Sequence, residues 1–224
     1  MRHLTSRSGL TLIELLVVVA VVGVMVALLL PAVQAARMAA HRARCISNLR
    51  QLGVGLHSYH ETARVLPGYD GSAWTIAVLP HLEQKGLYAA FNINLAPLDA
   101  GNSSVNQVRL AVFTCPAEPE TVVDPDCVVG NYGLNAVVAG LRFDDFRDGA
   151  SQTALGFDIP SRWTVPWALG PQSSDGLVGV GTHADRRPML LADGSVRPIS
   201  STLDEQRARA LVTPDGGEII EPLP

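Results

Sequence analysis

Arg7-Ser8-Gly9-Leu10-Thr11-Leu12-Ile13-Glu14 runs directly into sixteen residues without charge or polarity, Leu15 to Leu30. This stretch decides how the chain is organised. The leader before it is short and basic (Arg2, Arg7) and ends at a small residue, Gly9. Leu10 to Val33 is 24 residues, and at 1.5 Å of rise each a helix of that length covers about 36 Å, enough to cross the hydrocarbon of a bilayer. Glu14 is the anomaly. A carboxylate costs on the order of 2.5–3.5 kcal/mol near a bilayer centre, so it calls for a partner. An ordinary secretory signal is cut after its apolar region, and Ala32-Val33-Gln34-Ala35-Ala36 imitates such a site. Neither that signal nor a plain anchor has a use for a glutamate inside the apolar run.

The same residues resemble the N-terminus of type IV prepilins and type II secretion pseudopilins, whose leader is cut after a glycine just before a hydrophobic helix with glutamate at its fifth position. The resemblance implies cleavage between Gly9 and Leu10 by a prepilin peptidase and methylation of the new amino terminus on Leu10. It implies that Glu14 meets the free amine of a like subunit in an assembled fibre. This chain has Leu10 where most members carry phenylalanine. The basic leader places the N-terminus in the cytoplasm and the head outside, periplasmic or extracellular, in a single-pass protein of the cytoplasmic membrane. Arg37, Arg42, Arg44 and Arg50 follow closely, so the orientation rests on the leader motif more than on the charge rule.

The chain carries −4, and loss of Arg2 and Arg7 leaves −6. Residues 37–50 are basic and the acid gathers after residue 60, which suits a basic stem beneath an acidic head and speaks against nucleic-acid binding. The expected organisation is a leader (1–9), a membrane helix (10–33), an amphipathic stem helix (34–64) and one globular head (65–224). Pro31 should kink the helix. Beyond it Val33, Ala36, Ala40, Ile46, Leu49, Leu52 and Leu56 approximate a helical stripe, and Gly53 and Gly55 weaken the last turns.

After Pro67, turn signals such as Asp148-Gly149, Asp193-Gly194 and Asp215-Gly216 separate short apolar runs. Trp74–Leu79, Val108–Phe113, Thr153–Phe157, Leu177–Val180, Met189–Leu191 and Val196–Ile199 read as strands, and His81–Phe91 as a short helix. The fold expected is α+β: a long N-terminal helix packed on a small antiparallel sheet. Asp193-Gly194 is the strongest hairpin signal. Three cysteines in an exported domain invite one disulfide. Cys115 and Cys127, twelve apart in a proline-rich loop, are the expected pair, with Cys45 a small buried residue on the stem.

Further segments resemble a large pilin-like family with a domain of unknown function and a C-terminal motif of histidine, nine residues, then Asp-Gly. His183 and Asp193-Gly194 have that spacing. Cys45 to Leu52, His57 to Thr62, Phe113-Thr114-Cys115-Pro116, Asn131-Tyr132, Asp148 to Thr153 and Asp215 to Glu218 look like further blocks in the expected order. The resemblance implies the pilin shape, a hydrophobic helix continuing into an amphipathic one, and no particular chemistry. Here the motif histidine is followed by Ala184-Asp185-Arg186-Arg187-Pro188 rather than the usual glycines.

His57 and His60 share a helix face, and with His183 or His81 they would supply a three-histidine zinc site. Packing beneath the head is the preferred reading. Asp193 reads as turn chemistry, with Gly194 at positive φ and His183 bonded across to it. Asp175, Asp185 and Asp193 could imitate a calcium loop but lack its compact oxygen run. Trp74, Trp163 and Trp167 read as core anchors. Gly-x-Ser-x-Gly, phosphate-loop and Cys-x-x-Cys motifs are absent from the sequence, so neither an enzyme nor a cofactor is expected. The reading is a pilin- or pseudopilin-like subunit. Its rival is a monomeric envelope protein that uses the helix only as an anchor.

Overall fold

The computed structural model describes residues 11–68, 73–117, 127–159, 165–169, 172–173, 186–200 and 203–217. Gly9, Leu10, Trp163, Asp175, Leu177–Val180, His183 and Asp185 lie outside the described residues. The chain forms two units, Met1–Ala40 and His41–Pro224.

One helix, α1 (Leu12–Ala63), contributes to both units. Thr11 caps its start: its backbone N–H and its hydroxyl both donate to Glu14 Oε2, at 2.8 and 2.7 Å, and its Oγ1 accepts from the Glu14 N–H at 3.3 Å. This reciprocal arrangement satisfies donors that the first turn would otherwise leave unmade. In the first unit the apolar side chains are exposed, Leu12 by 81% and Leu28 by 70%, and α1 is apolar and long enough to be a candidate membrane span. Pro31 costs the helix a donor without ending it. Arg64, at φ 63°, stops the helix in a left-handed turn whose N–H reaches the His60 carbonyl at 2.7 Å.

Within the second unit α1 turns one face into the head. Cys45, Leu49, Leu52 and Leu56, spaced four, three and four apart, are all at most 2% exposed. The two glycines expected to weaken this region have another role. A Cβ on Gly53 would lie 2.8 Å from Leu190 Cδ1, and one on Gly55 2.8 Å from Leu82 Cδ2. They let the helix approach the sheet on one side and the 79–82 turn on the other.

The sheet is built from β2 (Tyr132–Asn135), β3 (Ala154–Asp158), β5 (Gln172–Ser173), β6 (Arg186–Leu191) and β7 (Val196–Ser200), after a minor pair β1 (Val129–Gly130) and β4 (Val165–Pro166). Its order is β5-β2-β3-β6-β7. The four strands β2, β3, β6 and β7 are antiparallel, and β5 joins the edge of β2 in parallel. Because side chains alternate across a strand, the sheet serves two cores. Tyr132, Leu134, Leu155 and Leu190 join the α1 face, and with it Trp74, Phe113 and Trp167. Phe113 stacks on Trp167 at 5.5 Å and meets Trp74 edge-on at 5.9 Å. Ala154, Met189, Leu191 and Ile199 form the second core with Leu211, from a C-terminal helix.

Three local expectations are corrected. Trp74–Val78 is a helix, α2; every residue but Ala77 is buried, so the run lacks the alternation that separates strand from helix. Val108–Phe113 is a loop ending in a 3-10 turn at Ala111–Phe113. His81–Phe91 is divided: a 3-10 turn, Leu79–Leu82, stops at Glu83 in a left-handed conformation, and α3 (Lys85–Ala90) follows. A four-residue helix, α4 (Ser103–Asn106), and α5 (Glu205–Val212) complete the helices described. Asp204 caps α5, accepting from the Arg207 N–H at 2.9 Å.

The disulfide is a fourth correction. Cys45 is bridged to Cys115, with Cα atoms 5.5 Å apart, and Cys127 lies outside the bridge. The bond closes a separation of 70 residues, for which chain entropy gives about 4 kcal/mol of stabilisation. Reductant should therefore lower the thermal midpoint of the detergent-solubilised chain by many degrees, Cys45→Ser should reproduce the loss, and Cys127→Ser should not. Peptide mapping that finds Cys115 joined to Cys127 would refute the assignment.

Candidate functional site

The segments singled out in the sequence converge on two junctions, each joining α1 to the head. The upper junction is built on Asn48, one turn along α1 from Cys45. Its Nδ2 lies 2.8 Å from the Ala111 carbonyl, 3.1 Å from that of Thr114 and 3.3 Å from Tyr132 Oη. These contacts hold the 111–114 turn against the helix, which brings Cys115 over Cys45. The Cys115 N–H in turn donates to Asn131 Oδ1 at 2.9 Å, and the Asn131 N–H to the Phe113 carbonyl at 2.9 Å. The carbonyls of the 111–114 segment thus bond Asn48 and Asn131, which is why an apolar run failed to become a strand. Burial pushes the Tyr132 phenol above its ordinary range; Asn48 opposes the shift and the Asp158 charge adds to it.

The lower junction lies around the Asp193-Gly194 turn. Gly194 sits at φ +80°, and Asp193 Oδ1 accepts from the Ser195 N–H at 2.8 Å. The turn is tied to its neighbour: the Ala192 N–H donates to Thr153 O at 2.8 Å and the Asp193 N–H to Ala150 O at 2.9 Å. The Asp148–Thr153 block then reaches the segment after α5, at residues 214–217. Asp148 accepts from the Gly216 and Gly217 N–H groups through its two oxygens, each at 2.8 Å, and its own N–H donates to Pro214 O at 3.1 Å. Asn135 adds a tie, donating to Ala154 O at 2.9 Å and Val212 O at 2.7 Å. The carboxylates and amides of these motifs are therefore directed at backbone.

His57 lies beneath this turn. A Cβ on Gly194 would stand 3.6 Å from its Nε2. The imidazole stacks on Phe143 at 4.4 Å and 14°, and His60 packs on the same ring at 4.5 Å while its Nε2 accepts from the Phe143 N–H at 3.4 Å. Desolvation lowers the His57 pKa, and His60 adds to that; the Ala192 carbonyl, Asp193 and Glu61 act in the opposite direction. The two histidines thus clamp an aromatic ring. Ser58 Oγ meets His81 Nδ1 at 2.9 Å. Among the described residues no group of three His, Cys, Asp or Glu is arranged to hold a metal. Asp193 is a turn residue, as its sequence implied, and its motif partner His183 is outside the described residues.

Sequence reasoning missed Asn48, Asp148, Asn135 and Phe143. Asn48 and Asp148 stood inside blocks already picked out, and an Asn one helical turn from a cysteine on a buried stripe was the available signal. Nothing local marks Asn135 or Phe143, whose partners are far along the chain.

Two outcomes follow. Gly194→Val should destabilise the head by about 1–3 kcal/mol, because a β-branched residue is strained at positive φ, and Gly194→Ala should cost less; thermal unfolding measures both. Desolvation makes His57 bind its proton less readily in the fold than in the unfolded chain. Its contribution is therefore complete above the ordinary histidine pKa and is lost as pH falls from there through the lowered folded value. His57→Phe, which keeps a ring against Phe143, should flatten that acid limb in a pH series of melting temperatures.

The family model described as a protein of unknown function (DUF1559) matches residues 34–180, a span holding all of the upper junction and His57, Phe143 and Asp148–Thr153 of the lower one. No curated protein and no solved structure matches the chain. With about two thirds of its length under that match, the chain belongs to the DUF1559 family of proteins of unknown function.

Proposed function

We propose that the protein is a pilin- or pseudopilin-like structural subunit, cut after Gly9, methylated on Leu10, inserted by its N-terminal helix and able to assemble through it. The observation that carries this reading is α1 itself. It presents exposed apolar side chains from Leu12 to Val33, and its own continuation is fastened into the head by a disulfide, Asn48 and a buried stripe. A cleavable signal has no need of such fastening, since it leaves the mature protein. The partners are a prepilin peptidase, membrane lipid and like subunits. The leader faces the cytoplasm and the head the periplasm or exterior. The role is structural rather than enzymatic, without a resident metal or cofactor.

The monomeric anchor remains the competing reading, and one observation favours it. Glu14 finds hydrogen-bond partners on its own Thr11, so a role in starting the helix accounts for the glutamate without a neighbouring subunit. Mass spectrometry of the mature protein should find methylated Leu10 at the N-terminus; retention of Met1 in the membrane fraction would sink the proposal. Glu14→Gln keeps an acceptor for the Thr11 cap but removes the charge. Cross-linking between subunits should fall in Glu14→Gln if the carboxylate meets an amine, and stay unchanged if it serves only as a cap.

A further inference from the structure

Arg42, Arg44 and Arg50 are exposed on the part of α1 that belongs to the head unit, and Arg37 is exposed at the end of the first unit. Among the described residues none of the four is paired with a carboxylate. The reason lies in the sequence: between Glu14 and Glu61 there is no acidic residue at all. Ion pairs along a helix surface normally come from Glu or Asp three or four residues away, and here that possibility is removed for more than ten turns. Residues 51–224, by contrast, hold eleven Lys and Arg against twenty Asp and Glu, a net of −9. The stem's charge is therefore left uncompensated in an otherwise acidic chain.

The position of these charges selects their partner. Arg37 is four residues past Val33, about 6 Å at helical rise, and Arg42 and Arg44 follow at about 14 and 16 Å. The headgroup layer is roughly 5–8 Å thick on each side of the hydrocarbon, and the field of anionic lipids persists for about 8–10 Å beyond it. Guanidinium is suited to this setting because its planar fork bonds phosphate through two N–H groups. We propose that Arg37, Arg42 and Arg44 form a collar that binds the phosphates of anionic phospholipids in the leaflet from which the stem emerges. Arg50, at about 26 Å, lies beyond that reach. The inference rests on α1 spanning the membrane. It adds a specific lipid class, and it gives the stem a second hold on the membrane surface besides its apolar segment.

The test uses the full chain in nanodiscs and in mild detergent. Incorporation into purely phosphatidylcholine nanodiscs checks the span alone; a chain that stays in the aqueous phase would remove the foundation of the collar as well. Native mass spectrometry in detergent then compares retained phosphatidylglycerol with phosphatidylcholine. Wild type should prefer the anionic lipid, and each of Arg37→Gln, Arg42→Gln and Arg44→Gln should lower that preference roughly fivefold at low salt. Arg→Lys variants should keep most of it, and Arg50→Gln should keep nearly all. Inorganic phosphate should compete no better than chloride at equal ionic strength; stronger competition would make this a free-phosphate site. Equal retention of the two lipids would overturn the collar. So would a triple Arg→Gln variant that keeps its lipid preference but loses dimers of the chain, because the arginines would then face the acidic head of a second copy.

Discussion

The seating of α1 against the sheet is the constraint on which the head depends. Cys45, Leu49, Leu52 and Leu56 supply the apolar face, and Gly53 lets Leu190 of the β6–β7 hairpin approach to the distance of a missing side chain. Burying large aliphatic side chains contributes about 1.5–3 kcal/mol each, so this face alone outweighs any hydrogen bond in the molecule. It also fixes directions. With Leu190 against the helix, pleat alternation sends Met189 and Leu191 to the opposite face, where α5 must cover them. The two cores of the head are consequences of one contact.

The polar motifs occupy the two ends of that contact. Asn48 and the Cys45–Cys115 bridge fix the helix where it enters the head, and His57, Phe143 and the Asp193-Gly194 turn fix it where it stops. Hydrophobic burial is non-directional and would tolerate sliding of the helix by a turn. A disulfide and an amide with several simultaneous partners do not. These residues thus set the register of α1 against the sheet.

Much of this was legible in advance. The long helix, its buried stripe at Leu49, Leu52 and Leu56, the α+β class and the Asp-Gly hairpin follow from periodicity and turn chemistry, which act within a few residues. The misreadings share a different cause. Trp74–Val78 and Val108–Phe113 are mostly apolar, interrupted by Thr75 and Arg109 without a clean period, and their conformation is decided by partners distant in sequence: the Thr75 hydroxyl donates to Trp167 O, and Asn48 takes the Ala111 carbonyl. The Cys115–Cys127 expectation failed for the same reason. Nearness along the chain suggested a small loop, whereas Asn48 delivers Cys115 to a residue 70 positions away. The role of Asp148 was invisible because its partners, Gly216 and Gly217, belong to the last described turn.

Glu14 shows how a single residue can satisfy two arguments with different consequences. Read as a charge in a membrane, it demands a partner in another molecule, because a carboxylate at depth is costly. In the structure it lies in the first turn of α1, where the helix dipole and unmade N–H groups favour a negative side chain, and Thr11 completes the cap. The first turn is also where a span begins, close to the interface, so the depth penalty falls well below its central value. A glutamate there is therefore compatible with a lone anchor. The cap leaves one carboxylate oxygen, Oε1, uncommitted to Thr11, since the Thr11 N–H and hydroxyl both donate to Oε2. A second subunit's amine could engage that oxygen without dismantling the cap. Helix initiation, which the structure shows, and the proposed contact with a second subunit would thus be separable, and the charge rather than the hydrogen-bonding capacity is what would distinguish them.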